Sequence, residues 1–285
     1  MKYHGFDSLL RALSLFYLSM IASLIFSCGH HETIEEAVGN VLPLPDSSCM
    51  GYFGQPNEKS GLTEAQCAST CQCEQSSYQW SDAPFSSVLF GFHHQNEPEP
   101  LSEDPYLSNV QISQGEELAC VITVNWLDNS YQLETLRLED APPEQITHIG
   151  PCGACSSMRD LQVYVENTDL TEPVRRCGIK GISNEAEGLN CLKEMGFSEA
   201  CGMIWYFNTV NTRMKCLQVC LAHLQSNYVD ENGVLNPCLT CDEVESGPVF
   251  KAYSGRTRRN SGIPSAICRP CSSISPISHA YLTPP

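Results

Sequence analysis

Basic side chains are scarce in this 285-residue chain: 16 Lys and Arg stand against 33 Asp and Glu, and the formal net charge is −17. Such a surface repels phosphate backbones, so nucleic acid is not an expected partner. No Asn-x-Ser/Thr glycosylation sequon occurs although Asn, Ser and Thr are plentiful, which favours a bacterial envelope over a glycosylating secretory route. The Gly-x-Ser-x-Gly elbow, the P-loop and the Rossmann glycine pattern are all missing, which removes the most legible hydrolase and nucleotide-binding readings. "DENGVLNP" (230–237) has too few oxygen ligands at EF-hand spacing and reads as a turn. No fixed-period repeat is present.

What is present begins with an address. "MKYHGFDSLLR" carries Lys2 and Arg11 against Asp7, and the apolar run at residues 12–26 follows it. That run is about 15 residues, short of the roughly 20 needed to span a bilayer, so residues 1–27 read as an export signal that is removed. "LIFSC" (24–28), with Ser27 before Cys28, resembles the lipobox of bacterial lipoproteins. The resemblance implies that Cys28 becomes a lipidated N-terminus holding the protein to a membrane of the cell envelope. Ordinary secretion is the alternative.

Cysteine is abundant, with 17 in the chain. Setting Cys28 aside leaves an even set: Cys49, Cys67, Cys71, Cys73, Cys120, Cys152, Cys155, Cys177, Cys191, Cys201, Cys216, Cys220, Cys238, Cys241, Cys268 and Cys271. Export and an even count point to complete pairing as structural disulfides.

Organisation follows from composition. Residues 28–92 read as a small Cys-rich region, 93–105 ("HHQNEPEPLSEDP") as an acidic linker, and 106–285 as a disulfide-rich domain ending in a loose Ser/Pro-containing tail at 272–285. In "LTEAQCASTC" (62–71), Thr63 and Gln66 form a capping box that predicts a helix with Cys67 and Cys71 on one face. Residues 117–140 predict a β-hairpin around "DNS", and 156–166 a helix. The strongest helical pattern is Phe207, Val210, Met214, Leu217, Leu221 and Leu224, a continuous stripe expected to be core, flanked by Cys216 and Cys220. A helix ending at Gly196 supplies Cys191 as an expected partner for that flank. The Trp205-Tyr206-Phe207 run is read as core, with pocket lining as the alternative. The expected fold is therefore α+β and disulfide-rich: a small Cys-rich N-terminal unit, then a β-hairpin, then a mainly helical Cys-rich region.

Several constellations bear on chemistry. "GPCGACSS" (150–157) sits at a strand-to-helix turn, where a helix N-terminus lowers a thiol pKa, so Cys152 and Cys155 are the residues of a thiol-disulfide oxidoreductase reading. Export and thiol parity favour structural staples instead. Cys238, Cys241, Cys268 and Cys271 have the spacing of a zinc ribbon, which oxidation forbids; no cofactor is expected, with zinc as the alternative. "PCGAC" resembles half of a zinc deaminase motif, but the matching His-x-Glu occurs only at His30–Glu32. A His148–Cys152 nucleophile requires a free thiol, and His93 with His94 is a weak Cu or Zn pair. Lys251, Arg256, Arg258 and Arg259, in a turn-rich loop, form the candidate site for a small anion or acidic glycan, because guanidinium forks grip oxyanions bidentately. The functional expectation is an exported, lipid-anchored binding or structural protein of the cell envelope rather than an enzyme.

Overall fold

The computed structural model describes residues 47–74, 77–81, 88–108 and 117–283. In chain order the strands are β1 (Tyr52–Phe53), β2 (Cys67–Ala68), β3 (Thr70–Gln72), β4 (Ser77–Gln79), β5 (His93–His94), β6 (Leu118–Asn125), β7 (Ser130–Arg137) and β8 (Ile146–Ile149), with β9 (Arg269–Pro270) near the C-terminus. Between β8 and β9 lie six helices: α1 (Met158–Glu166), α2 (Thr171–Lys180), α3 (Glu185–Glu194), α4 (Glu199–Ala222), α5 (Pro237–Glu245) and α6 (Gly247–Ser254). The fold is α+β, as the sequence predicts. The described residues form one compact unit.

The hairpin β6–β7 is the centre of a four-stranded sheet of order β5-β7-β6-β8. Its β-branched run Val121-Ile122-Thr123-Val124 suits a pleated surface, and Asn129, at φ 55, takes the left-handed turn position that Asn tolerates. Alternation along β6 sends Cys120 and Ile122 into the main core and Ala119 and Val121 into a second cluster with Ile146, Ile149 and Ile277. Helix α1 starts at Ser157, whose hydroxyl caps the Asp160 amide, and α4 starts at Ser198 in the same way. Asp160 ties the two starts together: its carboxylate accepts from Ser157 Oγ, Ser198 N and Ser198 Oγ at 2.5–2.8 Å.

All sixteen cysteines after Cys28 are paired: 49–73, 67–268, 71–271, 120–152, 155–201, 177–191, 216–241 and 220–238. This density of bridges marks an extracellular, disulfide-stabilised protein.

Four local expectations change. The Thr63–Gln66 capping box does close, with Gln66 Oε1 accepting from Thr63 N at 3.1 Å, but a single turn follows and the chain enters β2 and β3. Bridges from Cys67 and Cys71 to Cys268 and Cys271 hold it extended there. The segment 93–105 starts as β5, parallel to β7 through His93↔Ser130 and His94↔Tyr131, so it is part of the sheet. The tail expected to be loose at 272–285 is packed over its described residues 272–283: Ile274, Ile277, His279, Tyr281 and Leu282 are buried, because its apolar residues fill core positions that no local period reveals. Cys191 pairs with Cys177, which joins α2 to α3, and Cys216 and Cys220 of α4 go to α5 instead.

Candidate functional site

At "GPCGACSS" both cysteines are staples to other elements, and the turn itself is held by backbone hydrogen bonds. Cys152 is bonded to Cys120 in the hairpin and Cys155 to Cys201 in α4, so the two thiols of the oxidoreductase reading never face each other. The turn packs against residues 253–255, where Ala154 N and Cys155 N donate to Tyr253 O and Ser254 O at 2.9 and 2.8 Å. A Cβ on Gly153 would lie 2.6 Å from Tyr253 O, which is why glycine occupies that position. His148 is buried beside this turn: its Nδ1–H donates to Ile149 O, and its Nε2 accepts from Ser156 Oγ at 2.8 Å. Burial and the nearby Arg256 hold its pKa well below the ordinary histidine value, so it stays a neutral structural group.

The zinc reading meets the same obstacle. Cys238 and Cys241 are bonded to Cys220 and Cys216, and Cys268 and Cys271 to Cys67 and Cys71. A disulfide sulfur has no thiolate to offer a metal. Among the described residues no group of three or more His, Cys, Asp or Glu is placed to hold a metal ion. His93 and His94 diverge as strand neighbours must: His93 is exposed, while His94 is buried and stacked on Tyr131 with centroids 4.6 Å apart.

The arginine loop divides into two parts. Arg256 is fully buried and its guanidinium donates to Ser156 O (2.9 Å), Thr147 O (3.1 Å), Cys155 O (3.2 Å) and Ser261 Oγ (3.4 Å). Arg258 donates to Tyr164 O, Pro264 O and Asn167 O and lies over the Tyr164 ring, 5.4 Å from its centroid. These two direct their donors at backbone carbonyls and the Ser261 hydroxyl, not at a ligand. Lys251 and Arg259 instead converge on Glu243 Oε2 at 3.4 and 3.2 Å, and Arg269 joins them at Oε1 at 2.6 Å. Burial alone would raise the Glu243 pKa, yet Arg269, Arg259 and Lys251 together hold it at about 2. The convergence therefore exists, around a carboxylate that the sequence did not single out.

That cluster lines a cavity of about 520 Å³. Its walls come from α2 (Val174, Ile179), α4 (Trp205, Leu217, Leu221), α5 (Leu239) and α6 (Phe250), with Phe53, Ile263 and Ile274 contributing from loops and β1. The α4 stripe thus behaves differently from expectation. Phe207 and Val210 pack on the core, but Met214, Leu217, Leu221 and Leu224 are exposed by 58, 49, 58 and 41%. Ile179 and Ile182 at the end of α2 are exposed as well. The reason is geometric: α4 runs past the core after Asn211, and Cys216 and Cys220, beside the stripe, attach its last turns to α5, so that Cys220 and Cys238 share the cavity wall with Leu217 and Leu221.

Of the aromatic run, Tyr206 and Phe207 are core and Trp205 lines the cavity, 4.6 Å from Phe250. Trp205 Nε1 and Tyr164 Oη, both in the wall and sealed from solvent, make no hydrogen bond of ordinary geometry. Midway along α4 the lining turns polar. Asp242 accepts from Thr212 Oγ1 and from Asn208 Nδ2, and burial raises its pKa. Arg213 closes the α2 side through Gly178 O at 3.2 Å. The arrangement suits binding: an apolar trough with a cationic cluster on its wall.

The sequence singled out neither Glu243, Arg269 nor Ile179. The available signal was the stripe itself, which continues to Leu224 through a cysteine-flanked helix end. Among the described residues no helix is long and apolar enough to cross a membrane. Residues 185–277, which include α3 to α6, Glu243 and the three cations around it, match the model of a family of unknown function (DUF8771). No curated protein and no solved structure matches the chain.

Proposed function

We propose that this chain is an exported binding protein of the cell envelope, carried on a lipid at Cys28, whose cavity takes up the apolar chain of a lipid-like ligand. The observation that carries the reading is the continuity of the 520 Å³ cavity with the exposed Leu217 and Leu221 of α4 and Leu224 in the turn that follows it. Its volume falls within the roughly 300–1,000 Å³ usual for small-molecule sites. Exposed leucines at helical spacing are costly to leave in water, and each methylene of a ligand laid against them gains about 0.8 kcal/mol. The lipid anchor is an inference from Ser27 and Cys28, which lie outside the described residues; a Cys28→Ser variant is expected to leave the membrane fraction.

The binding experiment uses an uncharged apolar fluorophore, N-phenyl-1-naphthylamine, with the oxidised protein. Wild type is expected to enhance its emission saturably, and Leu221→Glu to abolish the enhancement while leaving the unfolding midpoint in place. No enhancement in wild type, or the same enhancement in the variant, refutes the reading. Concentration-dependent dimerisation that quenches the signal would instead assign the stripe to a second copy of the chain.

A further inference from the structure

Resting on that reading, we infer that the ligand is a single-chain amphiphile with an anionic head, carboxylate or phosphate, and that Lys251, Arg259 and Arg269 hold the head. Three cations surround one carboxylate, which leaves two positive charges in excess at this point of an otherwise acidic protein. Among the described residues, the side-chain hydrogen bonds of all three go to Glu243, one each. Arg259 and Lys251 reach the same oxygen at 3.2 and 3.4 Å, longer than the 2.6 Å of Arg269, and their remaining N–H groups are available to a second oxyanion.

The neighbouring acid, Asp242, lowers the excess without cancelling it, since three cations face two carboxylates. Asp242 is turned to Thr212 and Asn208. The apolar side of the argument adjoins the polar one: Phe250 precedes Lys251 in α6 and packs on Trp205, so a chain lying on these rings ends at the cations. A charged head at a partly exposed site and a chain in the trough divide the ligand as the lining itself is divided. A free small anion would use the cations and leave the leucines uncovered. A neutral lipid would do the reverse.

The test displaces N-phenyl-1-naphthylamine with three ligands, decanoate, decyl phosphate and decanol, and with acetate and inorganic phosphate at matched ionic strength. Decanoate and decyl phosphate are expected to displace at concentrations about tenfold or more below decanol, since one charge-assisted contact is worth that factor. The ratio is expected to fall toward one in Lys251→Ala and in the Lys251→Ala/Arg259→Ala double variant. Lys251 is the most exposed of the three, so its truncation leaves the fold in place. Equal displacement by the three decyl ligands in wild type overturns the head assignment while sparing the cavity. Displacement by acetate or phosphate overturns it in favour of a small-anion site. Failure of every ligand in a protein that still binds the fluorophore overturns the amphiphile and leaves an apolar pocket of other specificity.

Discussion

Two bridges, Cys67–Cys268 and Cys71–Cys271, close almost the same loop, with sequence separations of 201 and 200. Their contributions to stability must therefore be strongly coupled. With both opened, the unfolded chain regains a loop that the other bridges shorten: Cys120–Cys152, Cys155–Cys201 and Cys216–Cys241 cut across it, leaving the stretches 71–120, 152–155, 201–216 and 241–268. That path is about 100 residues, worth about 4.7 kcal/mol of loop-closure entropy. With only one bridge opened, its twin still closes the long path, and only residues 67–71 and 268–271 are released. A loop of about nine residues is worth about 2.6 kcal/mol.

Each single loss should thus cost about 2.6 kcal/mol and the double loss about 7, an excess of about 2 over the sum. The perturbation is the paired substitution Cys67→Ala with Cys268→Ala, the equivalent pair at 71 and 271, and both together. Truncation of the buried sulfurs also loses packing, but a double-mutant cycle cancels whatever each pair loses by itself. The assay is guanidinium unfolding under non-reducing conditions, where the fully opened variant should also show a larger m-value as its unfolded state expands. Additive costs across the cycle would refute the claim that the two bridges share one loop entropy.

Arg256→Met should destabilise by about 3 kcal/mol or more, because Thr147 O, Cys155 O and Ser156 O would be left buried without donors at about 1–3 kcal/mol each. Lys251→Met, by contrast, should shift stability by less than about 0.5 kcal/mol, and urea unfolding of the two variants gives the comparison. Asp160 has its pKa raised to about 6 by burial, against the pull of Ser157 and Ser198. Its folded value lies above its unfolded one, so its stabilisation is complete at acid pH below the unfolded value and is lost as pH rises through about 6. Asp160→Asn should remove that dependence, which unfolding free energies between pH 4 and 8 will show. Burial lowers His279 to about 3 and His94 to about 4, and these work in the opposite sense: their stabilisation is present above 6.5 and is lost as pH falls toward those values. His94→Phe should therefore flatten the acid limb between pH 6.5 and 4, and an unchanged limb would mean that His94 is already protonated in the fold.

The elements legible in the sequence are those whose signal is local. The hairpin follows from alternation around Asp128-Asn129-Ser130, α1 from its cap at Ser157 and its apolar spacing, and α4 from a stripe about five turns long. The missed elements are those whose conformation is decided from a distance. A capping box at Thr63 is satisfied in one turn as well as in a long helix, and only Cys268 and Cys271, some 200 residues away, decide that the chain goes extended. Likewise Ser- and Pro-containing residues 272–283 read as surface by composition, while Tyr281 and Leu282 find a core that exists only after folding. The candidate site was half legible. Cation clustering drew notice to residues 251–259, yet which of those cations were bound to carbonyls depended on Tyr164, Asn167 and Ser156, far away in the chain.

The stripe on α4 shows how the staples and the site depend on each other. In a fold held by burial alone, Leu217, Leu221 and Leu224 would have to turn inward, since burying each is worth about 1.5–3 kcal/mol and a helix so apolar has no other reason to stay docked. Here Cys216–Cys241 and Cys220–Cys238 attach the last turns of α4 to α5 across sequence separations of 25 and 18. The outer bridge closes a loop worth about 3 kcal/mol, and the inner one, nested within it, adds less. Covalent attachment thus takes over what burial of the leucines would otherwise have to do, and it acts from cysteines that run beside the stripe. The leucines are left facing the cavity mouth without destabilising the unit that carries them. Removing these two bridges should consequently affect ligand uptake before it affects the core at Ile204 and Leu161, because the end of α4 is the wall of the site and not a support of the fold.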